Sequence, residues 1–152
     1  MDTGRLYQKV PLKLFSRLYR IHLPGTCISS ENFLQLVSTA TLLRELNIQA
    51  SAGITPEALF KAKPSLPFLR SITISHNEQF GVLVIACLCS LESLKEICAR
   101  GIDLEYREIL FLSKTFPRLG NGLDLETDTT DGDYFFDAVD IASDFDVLED
   151  LF

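Results

Sequence analysis

The sequence contains few groupings of residues that could perform catalysis. Ser75 and His76 are adjacent, but a nucleophile needs its base within hydrogen-bond reach, and neighbours along a backbone seldom face each other. Cys27 lies close in sequence to His22, but no further polar group accompanies them to activate a thiolate. We therefore expect a turn or a helix cap around residue 76, and we predict that the protein is not an enzyme.

Sequence patterns for a cofactor or a metal ion are also missing. The glycines of GNG at 120–122 lie in a polar stretch and lack the longer glycine pattern of a phosphate loop. Neither His22 nor His76 has a second ligand at the spacing of a zinc site, and the C-terminal carboxylates lack the spacing of a calcium loop. We expect no cofactor, no metal ion and no small-molecule substrate.

The four cysteines favour a reducing compartment. Cys87, Cys89 and Cys98 lie in or beside an apolar run that is typical of a protein core, where free cysteine is common. The first residues, MDTGRLYQKV, lack the apolar stretch of a signal peptide. The longest apolar run, 80–89, is about half of a membrane span. We expect an intracellular protein, cytoplasmic or nuclear, with no membrane span.

The charges are divided unevenly along the chain. The sequence has 21 acidic and 14 basic residues, a net charge of −7. Residues 123–152 contain 11 of the acids and no base, so residues 1–122 carry a net charge of +4. Such a division between a mildly basic body and a strongly acidic end indicates an interaction rather than a particular fold.

The acidic end also contains many large apolar side chains. In DGDYFFDAVDIASDFDVLEDLF, residues 131–152, Ile141, Phe145, Leu148 and Phe152 fall on one stripe of a helix. Repulsion among the acids keeps such a segment open when alone, and a protein partner with an apolar groove and a basic rim would fold it. The predicted partner-binding residues are Tyr134, Phe135, Phe136, Ile141, Asp144, Phe145, Asp146, Leu148, Leu151 and Phe152.

The stretch DFDVLEDLF resembles the short acidic and aromatic motifs of transcriptional activation segments. The resemblance implies binding to helical co-activator or general-factor domains. Two alternatives stay open for the same residues. The segment could dock on the body of its own chain, or it could act as a plain solubilising extension.

A basic stripe is predicted near the N-terminus. Arg5, Lys9, Lys13 and Arg17 are spaced by four, and Arg20 follows three residues later. On a helix they form a possible dock for an acidic partner, for the acidic end of the chain or for nucleic acid; an ordinary solvated face is the alternative. Nucleic acid is the weakest of these, because five bases on a chain of net charge −7 release few counterions.

Helix signals dominate the first two thirds of the sequence. The spacing of apolar residues predicts a helix over 11–22, a long helix from Ser29 through 48, a short helix beginning at Thr55-Pro56-Glu57, and a helix over 104–114 capped by Asp103. Leu91, Leu94 and Ile97 are also helix-spaced, so 90–100 is predicted as helix. No internal repeat is visible.

The stretch 70–88 decides the predicted fold class. We favour a buried helix that includes Val82 to Ile85 and therefore a mainly α, compact single domain; the alternative is an α+β fold with a hairpin around 70–88. The predicted organisation is a mainly helical body at 1–119, a polar glycine-containing linker at 120–133 and an acidic amphipathic segment at 134–152.

These observations predict a non-enzymatic protein–protein interaction module or regulator that binds a cellular protein complex. A short chain with a compact body, an acidic aromatic end and no family motif is also typical of viral accessory proteins that antagonise a host pathway. The alternative is a transcriptional regulator that uses the acidic amphipathic segment for activation.

Overall fold

Short strands alternate with helices along residues 12–125, the part of the chain that a computed structural model describes. The strands are β1 (Arg20–His22), β2 (Glu45–Asn47), β3 (Ser71–Thr73), β4 (Glu96–Cys98) and β5 (Leu123–Asp124). The α-helices are α1 (Ser30–Thr39), α2 (Pro56–Ala62), α3 (Val82–Cys89) and α4 (Tyr106–Thr115). Three 3-10 helices lie at Leu12–Arg17, Lys63–Ser65 and Pro117–Gly122.

The strands form one parallel sheet in sequence order, β1-β2-β3-β4-β5. Each of the first four strands is followed by a helix that returns the chain to the start of the next strand, and consecutive helices pack against each other. One strand and one helix therefore make one turn of a solenoid, in which a turn contacts mainly its two neighbours.

A buried ladder of aliphatic residues runs through the centre of the sheet. Its members are paired directly across the strands: Ile21, Leu46, Ile72, Ile97 and Leu123. They recur at about 25 residues, which is a common turn length for solenoid repeats. The residue three positions before each of the first four is also apolar and buried or half-buried: Leu18, Leu43, Leu69 and Leu94.

Asn77 holds two turns together at the bend after β3. Its side chain is 1% exposed. Nδ2 donates to the carbonyls of Ile48 (3.0 Å) and Ile74 (2.8 Å), and Oδ1 accepts from the backbone N–H of Ser51 (2.8 Å). The Ser51 hydroxyl in turn donates to the carbonyl of Leu23 at 3.0 Å. Buried polar groups at this bend are thus satisfied by the neighbouring turn.

The predicted mainly α fold is wrong, because the chain forms an α/β solenoid around a parallel sheet. The alternative hairpin around 70–88 is also wrong: β3 and β4 are parallel, and α3 lies between them. The cause lies in the spacing of the core residues. Leu91, Leu94 and Ile97 are three residues apart as on a helix, yet Leu91 and Leu94 lie in turns and Ile97 in a strand of three residues, too short to show alternation.

The same helical spacing of apolar residues led to two other long helix predictions that are wrong. The stretch 11–22 contains a 3-10 helix and β1, and the helix begun at Ser30 ends at Thr39, before β2. No internal repeat was visible in the sequence, yet the structure contains one. The repeat is carried by a few aliphatic positions per turn, and the residues between them differ from turn to turn.

The helix starts predicted from capping residues agree better with the structure than the helices predicted from apolar spacing. The Ser29 hydroxyl accepts from the N–H of Asn32 at 3.2 Å and begins α1. Thr55 does the same for Ala58 at 3.3 Å, ahead of Pro56 in α2. The last helix starts at Tyr106 with Glu105 as its cap, two residues beyond the predicted Asp103.

Replacing Asn77 by Ala should destabilise the fold by about 2–4 kcal/mol, because it leaves the carbonyls of two turns and the N–H of Ser51 buried without their partner. The measurement is chemical denaturation of the full chain. Asn32→Ala, on half-exposed α1 surface, is the control and should change the free energy of unfolding by less than about 0.5 kcal/mol. Equal effects of the two substitutions would contradict the role given to Asn77.

Candidate binding surface

The sheet is covered by helices on one side and exposed on the other. The side chains directly before and after each ladder residue point away from the helices, and the exposed residue two positions before the ladder residue lines a cleft on the same side; we call this side the strand face. Because the turns are in register, residues of equivalent position form columns across it. The three columns are Tyr19, Arg44, Arg70 and Lys95; Arg20, Glu45, Ser71 and Glu96; and His22, Asn47, Thr73, Cys98 and Asp124.

Backbone hydrogen bonds fix the first of these columns. The carbonyl of Tyr19 accepts from the N–H of Arg44 at 2.8 Å, and the carbonyl of Arg44 accepts from the N–H of Arg70 at 2.8 Å. The carbonyl of Arg70 then accepts from the N–H of Lys95 at 2.8 Å. Neighbouring positions are therefore about 4.8 Å apart, the spacing of hydrogen-bonded strands. Arg44, Arg70 and Lys95, which we call the basic column, form a continuous line of exposed cations.

Aromatic side chains flank the basic column. The guanidinium of Arg44 lies over the ring of Tyr19, 5.2 Å from its centroid. Tyr19 and Phe68 are each about half exposed, at 51% and 53%. A cation held over an aromatic ring is oriented without losing its charge. The end of the column thus offers both charge and apolar surface to a ligand.

Two shallow clefts meet at the basic column. One, of about 620 Å³, also contains Phe68 and Arg118. The other, of about 560 Å³, extends over the second column to Arg20. All three members of the basic column line both clefts.

The second column brings carboxylates beside the cations. Glu45 pairs with Arg20 at 3.0 Å, but both side chains are more than a third exposed, so the pair contributes only about 0–1 kcal/mol. Within residues 12–125, no carboxylate forms an ion pair with Arg70 or Lys95. These two cations therefore keep most of their charge available on the strand face.

A polar cluster occupies the β5 end of the same face. The Nε of Arg100 donates to both carboxylate oxygens of Asp124, at 3.1 and 3.0 Å, and the thiol of Cys98 lies 3.5 Å from Oδ2. The hydrogen bond from Arg100, and secondarily that from Cys98, holds the pKa of Asp124 below its ordinary value. Buried Ser75 lies 3.4 Å from the sulfur of Cys98 and completes the cluster.

The two candidates for catalysis, Ser75 and His76, make different contacts. The Ser75 hydroxyl accepts from the backbone N–H of Arg100 at 3.0 Å. His76 is exposed at a turn with a positive φ of 58°, and its ring lies against Gly101. The turn expected around residue 76 is confirmed. Both residues lie in the bend between β3 and α3.

The cysteines differ in their surroundings. Burial raises the pKa of the Cys89 thiol to about 12, and it raises that of half-buried Cys87 as well. Cys27 is exposed. Cys89, the last residue of α3, thus remains a neutral apolar side chain at physiological pH and contributes to the packing of that helix.

The residues predicted for binding are only partly described. Arg17 ends a 3-10 helix and Arg20 lies on β1, so these two do not share a helix face. Lys13 lies within that 3-10 helix. Arg5 and Lys9 lie outside residues 12–125, as do all ten partner-binding residues of the acidic amphipathic segment. Their roles stay predictions.

The sequence did not single out Arg44, Arg70 or Lys95. They are about 25 residues apart, so no window of one helix or one strand contains two of them. The only signal that could find them is the repeat itself, since each cation directly follows a buried leucine: Leu43, Leu69 and Leu94.

No family model, no curated protein and no solved structure matches this chain. Within residues 12–125, no helix combines the length and the apolarity needed to cross a bilayer.

Arg100→Gln should raise the pKa of Asp124 toward its ordinary value, because it removes the main hydrogen bond and a positive charge. With a lowered folded pKa, the carboxylate stabilises the fold at neutral pH, and this contribution is lost as the pH falls through that pKa. The measurement is an NMR titration of the Asp124 carboxyl carbon. Arg107→Gln, at the Glu105 pair, is the control. An Asp124 pKa that stays unchanged in Arg100→Gln would contradict this account.

Proposed function

We propose that this protein is a non-enzymatic recognition module that binds an acidic segment of a partner protein across the strand face. The observation that carries the proposal is the basic column, in which Arg44, Arg70 and Lys95 are exposed and stacked by the backbone hydrogen bonds of three successive turns. A ligand that follows the column meets one cation at each successive turn, and the backbones of successive turns are about 4.8 Å apart.

The solenoid architecture supports this use of the surface. The turn length and the pattern of Leu43, Leu46 and Ile48, repeated at Leu69, Ile72 and Ile74, resemble those of leucine-rich repeats. Solenoids commonly bind partners along an extended surface made by their repeats.

The pattern of charge favours a protein over a nucleic acid. Glu45 and Glu96 stand in the column beside the cations, and Asp124 lies in the next one. These carboxylates would repel a continuous chain of phosphates, whereas a peptide can place acids opposite the basic column and bases or hydroxyls opposite the second column. Tyr19 and Phe68 provide apolar contacts, which usually supply more of the binding free energy than exposed charge pairs do.

Reversing two charges of the basic column should remove binding. The double variant Arg70→Glu with Lys95→Glu is compared with Lys61→Glu with Lys114→Glu, which changes the net charge equally on exposed positions of α2 and α4. Proteins that the full chain captures from cells expressing it are quantified by mass spectrometry. We expect the strand-face variant to lose about tenfold or more of its captured partner, and the helix-face variant to retain it.

Two results would contradict the proposal. Equal loss in both variants would show that net charge, rather than the strand face, sets the interaction. Loss of capture after nuclease treatment would show that nucleic acid links the chain to its partners. A photo-crosslinking residue at Ser71, compared with one at Glu57 on α2, locates the contact independently, because only the first lies on the strand face.

A further inference from the structure

The two ends of the solenoid are flanked by different elements within residues 12–125. At the β1 end, the 3-10 helix Leu12–Arg17 packs against α1, and Phe15 and Leu18 pack on the core. At the other end, β5 pairs with β4 on one side, and its other side, which we call the open β5 end, pairs with no strand of residues 12–125, a range that ends one residue after β5. Leu123 and Leu125 are half-buried there, as Phe15 and Leu18 are at the β1 end. Solenoids generally need a terminal unit that covers the last turn.

We propose that this open β5 end binds the acidic amphipathic segment of the same chain, residues 134–152, as a sixth turn. The carrying observation is that the sequence period of the five turns continues into the segment. The buried ladder ends at Leu123, and the next position at the same spacing is Leu148. The leucines that precede the ladder by three residues have their counterpart in Phe145.

The helix pattern continues at the same offset. Twelve residues after the first three ladder residues lie the buried helix residues Phe33, Ala58 and Val84. Twelve residues after Leu123 lies Phe135. The following position holds Leu34, Leu59 and Ile85 in α1 to α3, and Phe136 in the acidic amphipathic segment.

The position before the buried helix residues follows the same period. The residues that precede Phe33, Ala58 and Val84 are half-exposed or exposed: Asn32, Glu57 and Leu83. Tyr134 stands at the equivalent place. One position departs from the pattern. Ile48 and Ile74 lie two positions after their ladder residues, but Asp150 lies two positions after Leu148. In a last turn that position borders solvent, so a carboxylate there stays hydrated.

This arrangement explains why acids and aromatics alternate at the end of the chain. An outermost turn has one side in contact with the core and the other in water. The aromatics at 135, 136 and 145 cover Leu123 and Leu125, and the acids face solvent and prevent a second solenoid from stacking on the end. The inference is independent of the proposed function, because the strand face and the open β5 end are different surfaces.

The test uses the full chain with Phe135→Ser and Phe136→Ser combined, and Tyr134→Ser as the matched control. The double variant should lower the Tm by roughly 10 °C or more, because two buried aromatics are lost, while the control should change it by only about 1–2 °C. Leu148→Ala is the milder variant and should lower the Tm by about 5 °C.

Hydrogen exchange provides the second readout. In the double variant the amides of 123–125 should exchange faster, while those of β2 keep most of their protection. Unchanged Tm and unchanged exchange at 123–125 in both Phe135→Ser/Phe136→Ser and Leu148→Ala would overturn the inference. A loss of Tm that appears only at high protein concentration would also overturn it, since the segment would then be covering a second copy of the chain.

Discussion

The structure depends on the stacking of turns of nearly equal length through one buried ladder. Strands of three residues have no stability alone, and each becomes a strand only because its neighbours hold the same register: Ile21 against Leu46, Leu46 against Ile72, and so on. The bends must then fit the same length. Asn77 fixes the central bend through hydrogen bonds to the backbone of its own turn and of the preceding turn.

This constraint also creates the candidate binding surface. Once the ladder is in register, the residue two positions before each ladder residue is in register too, and the carbonyls of Tyr19, Arg44 and Arg70 accept from the next turn. Arg44, Arg70 and Lys95 are brought into line by the backbone, without help from contacts between their side chains. A line of like charges costs repulsion. Exposure to water reduces this repulsion, and an acidic partner would replace it by attraction.

Local signals in the sequence predicted what local interactions determine. Ser29 and Thr55 begin helices because a hydroxyl satisfies nearby backbone N–H groups, and this depends on only a few adjacent residues. The strands could not be predicted in the same way. Leu43 and Leu46 are spaced as on a helix, although one lies in a turn and the other in a strand. Only the comparison of positions about 25 residues apart separates the two interpretations.

The candidate site was harder to predict than the fold. A basic residue after a leucine is unremarkable at any one of its three places, and its meaning comes from repetition at the turn length. The predicted stripe from Arg5 to Arg20 relied instead on helical spacing, and Arg20 lies in a strand. The acidic amphipathic segment was recognised by composition alone, which describes its chemistry and leaves open which surface it contacts.

The parallel register itself is the claim on which all of this depends. The most direct measurement is the set of backbone NOEs of the full chain in solution. The account predicts the parallel pattern between Leu46 and Ile72 and between Ile72 and Ile97, with helical NOEs over 82–89. Short Hα–Hα contacts between 71–75 and 80–88, the signature of an antiparallel hairpin, would contradict the solenoid and with it the basic column.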